Sequence, residues 1–198
     1  MRCLRCRRAA SVCYCAHLTP IASRTRVVFL QHPKERRVAI GTARLAHLAL
    51  PNSELHIGLA FADHRVAARL ATDAALLFPG DGAIDPTTLG VETPQTLVVL
   101  DGTWSQARKL LTFNPALATL PRIGLAPTRP SRYTIRREPA PHCLSTVEAV
   151  VETLGCLEGD DARFRPMLRA FDYMVATQID CAAQHASPHF HRRRVAGS

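Results

Sequence analysis

Apolar positions along the chain come in short runs broken by charged and turn-forming stretches, and their spacing separates strands from helices. Thr25 to Gln31 carries Val27 to Leu30 as an unbroken apolar run and predicts a buried strand, which His32-Pro33 ends. From Val38 to Leu50, the positions Ile40, Ala43, Leu45, Leu48 and Ala49 recur near the helical period, which predicts a helix. Leu55 to Phe61 reads as a second short strand, Val66 to Ala71 as a short helix, and Ala74 to Phe78 as a third strand running into a Pro-Gly-Asp-Gly turn. Gly82 to Thr93 is polar and turn-rich, the pattern of a surface loop.

Leu97 to Leu100 reads as the central strand and Trp104 to Leu111 as the helix after it. Thr103 and Gln106 have the T-x-x-Q spacing of a capping box, and Ala107, Leu110 and Leu111 follow on one stripe. Arg122 to Leu125 is a last short strand, after which Pro127 and Pro130 exclude helix. Ser145-x-x-Glu148 is a second capping-box pattern; Val147, Val150, Val151 and Leu154 trace one face behind it, and Gly155 or Gly159 ends the helix. A final helix carries Phe164, Met167, Leu168, Phe171, Met174, Val175 and Ile179, with Pro166 tolerable only near its start. Alternating strands and helices imply an α/β fold with a mainly parallel sheet flanked by helices. In such sheets ligands bind beyond the carboxyl ends of the strands, where Asp101-Gly102-Thr103-Trp104 falls. An Asp-Gly turn and a lone packed tryptophan account for the same four residues without a ligand.

Composition narrows the class. The 198 residues are 47% hydrophobic, enough for one good core. Apolar runs such as Ala74 to Pro79 fall far short of the ~18 residues of a membrane span, and the first residues hold Arg and Cys without an apolar signal core, so a cytoplasmic protein without a membrane partner is expected. The formal net charge is +9, and Lys34 and Lys109 are the only lysines. Arginine suits phosphate, and it clusters at Arg2, Arg5, Arg7 and Arg8, at Arg24 and Arg26, at Arg129, Arg132, Arg136 and Arg137, and in the tail at Arg192 to Arg194. These clusters favour a nucleic-acid partner over a merely solvated surface.

Cysteine usage supplies a candidate metal centre. Cys3-x-x-Cys6 and Cys13-x-Cys15 can give four thiolates to one tetrahedral Zn²⁺, whereas nothing resembling a thioredoxin unit surrounds them. Cys143, Cys156 and Cys181 read as small core residues or bystanders.

Taken together, the motif Asp101-Gly102-Thr103-Trp104, the segment Arg132 to Pro139, the Ser145-Thr146-Val147-Glu148-Ala149 signature, His32-Pro33-Lys34-Glu35 and the cysteine-rich start resemble the DTW-domain family over nearly the whole chain. The resemblance implies a SPOUT-like α/β fold with a C-terminal trefoil knot. It divides the chain into a zinc knuckle over residues 1–20, a DTW domain over 21–187 and a basic flexible tail over 188–198. It also implies transfer of the 3-amino-3-carboxypropyl group of S-adenosylmethionine to N3 of a tRNA uridine, at variable-loop position 47, with release of methylthioadenosine. A SPOUT-type RNA methyltransferase and a non-catalytic zinc-bearing RNA-binding protein are the alternatives.

On that resemblance Asp101 is the candidate base, a role worth about 10²- to 10⁴-fold, with a structural turn as its other possible job. Leu100, Gly102, Thr103, Trp104, Ser145, Thr146 and Glu148 are the candidate cofactor-binding residues. Gly102 would let backbone approach the cofactor, Trp104 would lie against adenine or the sulfonium, the helix start at Ser145 would meet a carboxylate, and Glu148 would hold an α-amino group. Lys34, Arg36, Arg132, Tyr133 and Arg136 are the candidate RNA contacts, with Tyr133 stacking on a splayed base. The knuckle would anchor the N-terminus and present its arginines to tRNA.

Overall fold

The computed structural model describes residues 1–38, 40–61, 66, 68, 70, 73–89, 93–126, 131–133, 135 and 143–185. Five strands form one parallel sheet: β1 (Arg26–Gln31), β2 (Ser53–Ile57), β3 (Ala74–Leu77), β4 (Thr96–Asp101) and β5 (Arg122–Ile123), in the order β2-β1-β4-β3-β5. The helices with described bounds are α1 (Thr42–Ala49), α2 (Trp104–Phe113), α3 (Pro115–Ala118), α4 (Thr146–Glu158), α5 (Asp161–Phe164) and α6 (Met167–His185). A parallel sheet covered on both faces requires apolar residues at successive positions. In β1, Val27 and Phe29 enter one core with α1, α4 and α6, while Val28 and Leu30 enter the other with Leu110 of α2 and Leu117 of α3. β4 divides in the same way, Leu97 and Val99 against Val98. Each such side chain contributes roughly 1.5–3 kcal/mol on burial.

Several elements differ from the sequence expectation, each for a local reason. The helix expected from Val38 begins only at Thr42, because Pro33–Arg37 forms a tight 3-10 turn and Gly41 is the N-cap. The second strand lies at Ser53–Ile57 and stops before Gly58, short of Phe61. The helix expected over Val66 to Ala71 falls largely outside the described residues, of which Val66, Ala68 and Leu70 are helical. Within the expected loop Gly82 to Thr93, Ile84 forms a parallel bridge with Ile123 and Pro86–Thr88 a 3-10 turn. Gly159, at φ 67°, ends α4, whereas Gly155 is interior and lies against Asp161, where an added Cβ would come within 2.6 Å of a carboxylate oxygen. The final helix is split: Phe164 belongs to α5, and α6 starts after Pro166. Ile179, expected on its buried stripe, is 48% exposed.

The cysteine-rich start packs on the main core. Cys6 and Tyr14 are buried in it, His17 stacks on Tyr173 of α6 at 3.9 Å, and the Ile21 N–H donates to Ala49 O. Two of the expected phosphate-binding arginines are paired with acids: Arg26 with Glu54 at 3.2 Å, and Arg24 with Glu158.

Candidate active site and cysteine cluster

β1 and β4 are neighbours whose following helices cover opposite faces of the sheet, so a crevice opens at their carboxyl ends. Gln31 and Asp101 are the last residues of these strands and face each other in register. Asp101 is therefore a strand residue, not a member of the following turn. Its carboxylate is buried; Oδ2 accepts from Gln31 Nε2 at 2.8 Å and Oδ1 from Thr146 Oγ1 at 2.8 Å. Donors on both oxygens are complementary to an ionised carboxylate.

A cavity of about 520 Å³ opens beside this carboxylate, within the range of small-molecule sites. Leu100, Asp101, Gly102, Thr103 and Trp104 line one side, and Ser145 and Thr146 at the start of α4 line another. Phe78, Tyr133, Cys143 and Leu144 complete much of the wall. The two expected capping boxes place these parts. Thr103 Oγ1 accepts from the Gln106 N–H, and Gln106 Oε1 accepts from the Thr103 N–H at 2.7 Å. At α4, Glu148 Oε2 accepts from the Ser145 N–H at 2.9 Å and from its hydroxyl at 2.6 Å.

Trp104 is 36% exposed and meets Phe78 edge-on at 5.7 Å, which overturns simple core packing for the lone indole. Gly102 lines the cavity, and an added Cβ there would meet Gln106, whose Oε1 would lie 2.8 Å away. Glu148 does not line the cavity. Its buried carboxylate accepts from Ser131 Oγ and the Arg132 N–H as well as from Ser145, so it ties the Ser131–Tyr133 segment to α4. Tyr133, 3% exposed, donates its hydroxyl to Ile40 O, packs its ring against Phe171 and sits in the cavity wall instead of on an open surface.

Among the expected RNA contacts, Lys34 and Arg36 are exposed on the turn after β1, and exposed Arg132 pairs with Asp172 at 2.9 Å. Arg136, like Arg129, Arg137 and the basic tail, lies outside the described residues. His32 is buried instead of cationic and exposed; burial, then Lys34 and Lys109, pushes its imidazole below the usual range, and Nδ1 accepts from the Lys34 N–H. Arg8 is also buried, not presented outward.

The Sγ atoms of Cys3, Cys6, Cys13 and Cys15 all lie within 4.8 Å of one another, with Cys3 to Cys15 at 3.7 Å and Cys6 to Cys13 at 3.6 Å. Tetrahedral zinc with thiolates at about 2.3 Å requires sulfurs about 3.8 Å apart, so the donor set fits that metal. Backbone N–H groups of Cys6 and Arg5 pull the Cys3 thiol down to about 6, whereas burial and neighbouring thiols push Cys15 up to about 12.

Sequence reasoning passed over Gln31, the direct partner of Asp101, and Phe78 beside Trp104. A polar residue closing an apolar strand was the available signal for the first; nothing in the local pattern marked the second.

Comparison with known proteins decides the family, because the model of the DTW domain matches residues 1–179. The chain belongs to the DTW-domain family. Among its DTW relatives, tRNA-uridine aminocarboxypropyltransferase 2 of Drosophila melanogaster is 32% identical over 200 residues, covering 96% of this chain and 80% of the relative. The protein of the same name from Mus musculus is 30% identical over 193 residues, with 92% of this chain and 65% of the relative covered. tRNA-uridine aminocarboxypropyltransferase A of Arabidopsis thaliana is 25% identical over 216 residues, covering 89% and 80%. No solved structure gives a match. Among the described residues, no helix is long and apolar enough to cross a membrane.

Proposed function

We propose that this DTW-domain protein transfers the 3-amino-3-carboxypropyl group of S-adenosylmethionine to N3 of a tRNA uridine in the variable loop. The observation that carries the reading is the buried, doubly hydrogen-bonded Asp101 on the wall of the cavity, in a chain whose relatives bear the name of that transfer. S-adenosylmethionine supplies a methylene made electrophilic by the adjoining sulfonium. Asp101 receives the N3 proton as the new bond forms, while Gln31 and Thr146 fix the carboxylate in place. The half-exposed face of Trp104 favours a cation beside it by about 0.5–2 kcal/mol. Leu100, Gly102 and Thr103 contribute the apolar and backbone wall next to it. The N-terminus of α4, which Ser145 caps, offers the Thr146 N–H and the positive end of a helix to a carboxylate. Lys34, Arg36 and Arg132 are the residues this reading assigns to RNA phosphate, with exposure of all three in its support.

The same reading assigns zinc to Cys3, Cys6, Cys13 and Cys15, in a knuckle over residues 1–20 that anchors on the α/β domain of residues 21–187. The C-terminal trefoil knot belongs to it as well; the all-parallel order with β1 and β4 at the centre supports that topology without tracing it. The test is the small product. Methylthioadenosine released from S-adenosylmethionine only when tRNA is present supports the reading, and S-adenosylhomocysteine in its place would make the protein a methyltransferase.

A further inference from the structure

A second, smaller cavity lies on the other side of Gln31, between the cysteine-rich segment and the turn after β1. Arg2, Arg7, Arg8, Arg36 and Arg44 contribute to its walls. Arg8 is the informative one. It is 4% exposed, and its Nη2 reaches Gln178 Oε1 at 3.3 Å, yet Nε and Nη1 have no partner. A guanidinium taken out of water with two of its nitrogens unmet is unfavourable unless something else accepts from them.

The surroundings indicate an anion. Among the described residues Arg7, Arg8, Arg36 and Arg44 form no ion pair. Burial first, then Arg7 and Arg36, pushes the half-buried Arg44 guanidinium below its usual value, while Tyr14 and Cys6 act the other way. Glu35 lies on the same wall and offsets part of this. Four thiolates around one divalent zinc would offset about two charges more, which still leaves a surplus of about two. The cavity, about 20 Å³, has room for about one water beside the unpaired Gln31 Oε1, so an anion reaches it from the mouth, where the arginines lie.

We propose that this cavity is a phosphate site and that its occupant is a backbone phosphate of the RNA substrate. The RNA source rests on the function proposed above; the anion chemistry does not. Gln31 is common to both sites, since its amide nitrogen holds Asp101 while its oxygen faces the basic cavity.

The experiment measures tRNA binding by the full-length, zinc-loaded protein without S-adenosylmethionine, across about 50 to 200 mM salt. Arg44→Gln and Arg36→Gln carry it, because Arg8→Gln alters a buried position; circular dichroism and zinc content verify the fold. Arg169→Gln, on the exposed face of α6, is the control. Losing one phosphate contact predicts about tenfold weaker binding and a salt slope shallower by about 0.7–0.9 for Arg44→Gln, with little change in the control. A second arm compares melting in sulfate and chloride at equal ionic strength, where sulfate is expected to raise the midpoint of the wild type and not of Arg44→Gln. Sulfate stabilisation with an unchanged tRNA slope would overturn the RNA source and leave a free-anion site. No response in either arm would mean that water fills the cavity, and the proposal falls. Failure of the wild type to bind tRNA would instead defeat the functional reading, with the sulfate arm still deciding the anion chemistry.

Discussion

Asp101→Asn separates chemistry from architecture at this site. Replacement by alanine would orphan both Gln31 Nε2 and Thr146 Oγ1, at about 1–3 kcal/mol for each buried donor, and would confound the two roles. The asparagine variant keeps an oxygen for Thr146 and turns an amide toward Gln31. Gln31 Oε1 has no partner, so rotating that side-chain amide lets it accept from the new donor and restores the pair. The expected cost to stability is below about 1 kcal/mol. Transfer to uridine, which needs a base at this position, is expected to fall by about 10²- to 10⁴-fold. Single-turnover assays at saturating S-adenosylmethionine and tRNA read the rate, and urea denaturation reads the stability. A rate within threefold of wild type, in a variant of unchanged stability, would refute the assignment of Asp101 as base.

Other expectations follow from neighbouring contacts. Glu148→Ala removes the acceptor for Ser131, the Arg132 N–H and both groups of Ser145, and is expected to lower stability by about 3 kcal/mol or more in chemical denaturation. Gly155→Ala drives a methyl group into Asp161 and should cost about 1–3 kcal/mol in chemical denaturation. Zinc competes with protons for the thiolates, and burial pushes Cys6 and Cys15 up, so acidification is expected to displace the metal, as followed by metal content after dialysis at falling pH. Trp104→Ala should weaken S-adenosylmethionine binding several-fold in calorimetry, consistent with about 0.5–2 kcal/mol for a cation on an indole face.

The parts of the fold governed by local chemistry were legible in the chain. The apolar runs of β1, β3 and β4 declared buried parallel strands, and the Thr103/Gln106 and Ser145/Glu148 boxes located the starts of α2 and α4. Asp101 and the four-cysteine cluster were legible as types at a spacing. What the sequence withheld were pairings across long separation. Nothing near Gln31 reveals that it ends opposite Asp101, because strand order is a property of the whole sheet. Tyr133 and Glu148 carry the polar groups of binding residues, but their partners, Ile40 and Ser131, spend those groups on packing a segment. Arg8 belongs to a run of exposed-looking arginines and is buried only because the cysteine-rich turn folds back on α6. The left-handed backbone at Arg7 takes part in that turn.

The central claim is that this site makes a uridine carry the amino-acid arm of S-adenosylmethionine. Mass spectrometry of nucleosides from tRNA incubated with the protein and S-adenosylmethionine tests it most directly. A uridine heavier by one aminocarboxypropyl group, absent with Asp101→Asn, is the predicted result. Uridine heavier by a methyl group, or tRNA left unchanged by a folded, zinc-loaded protein, would contradict it.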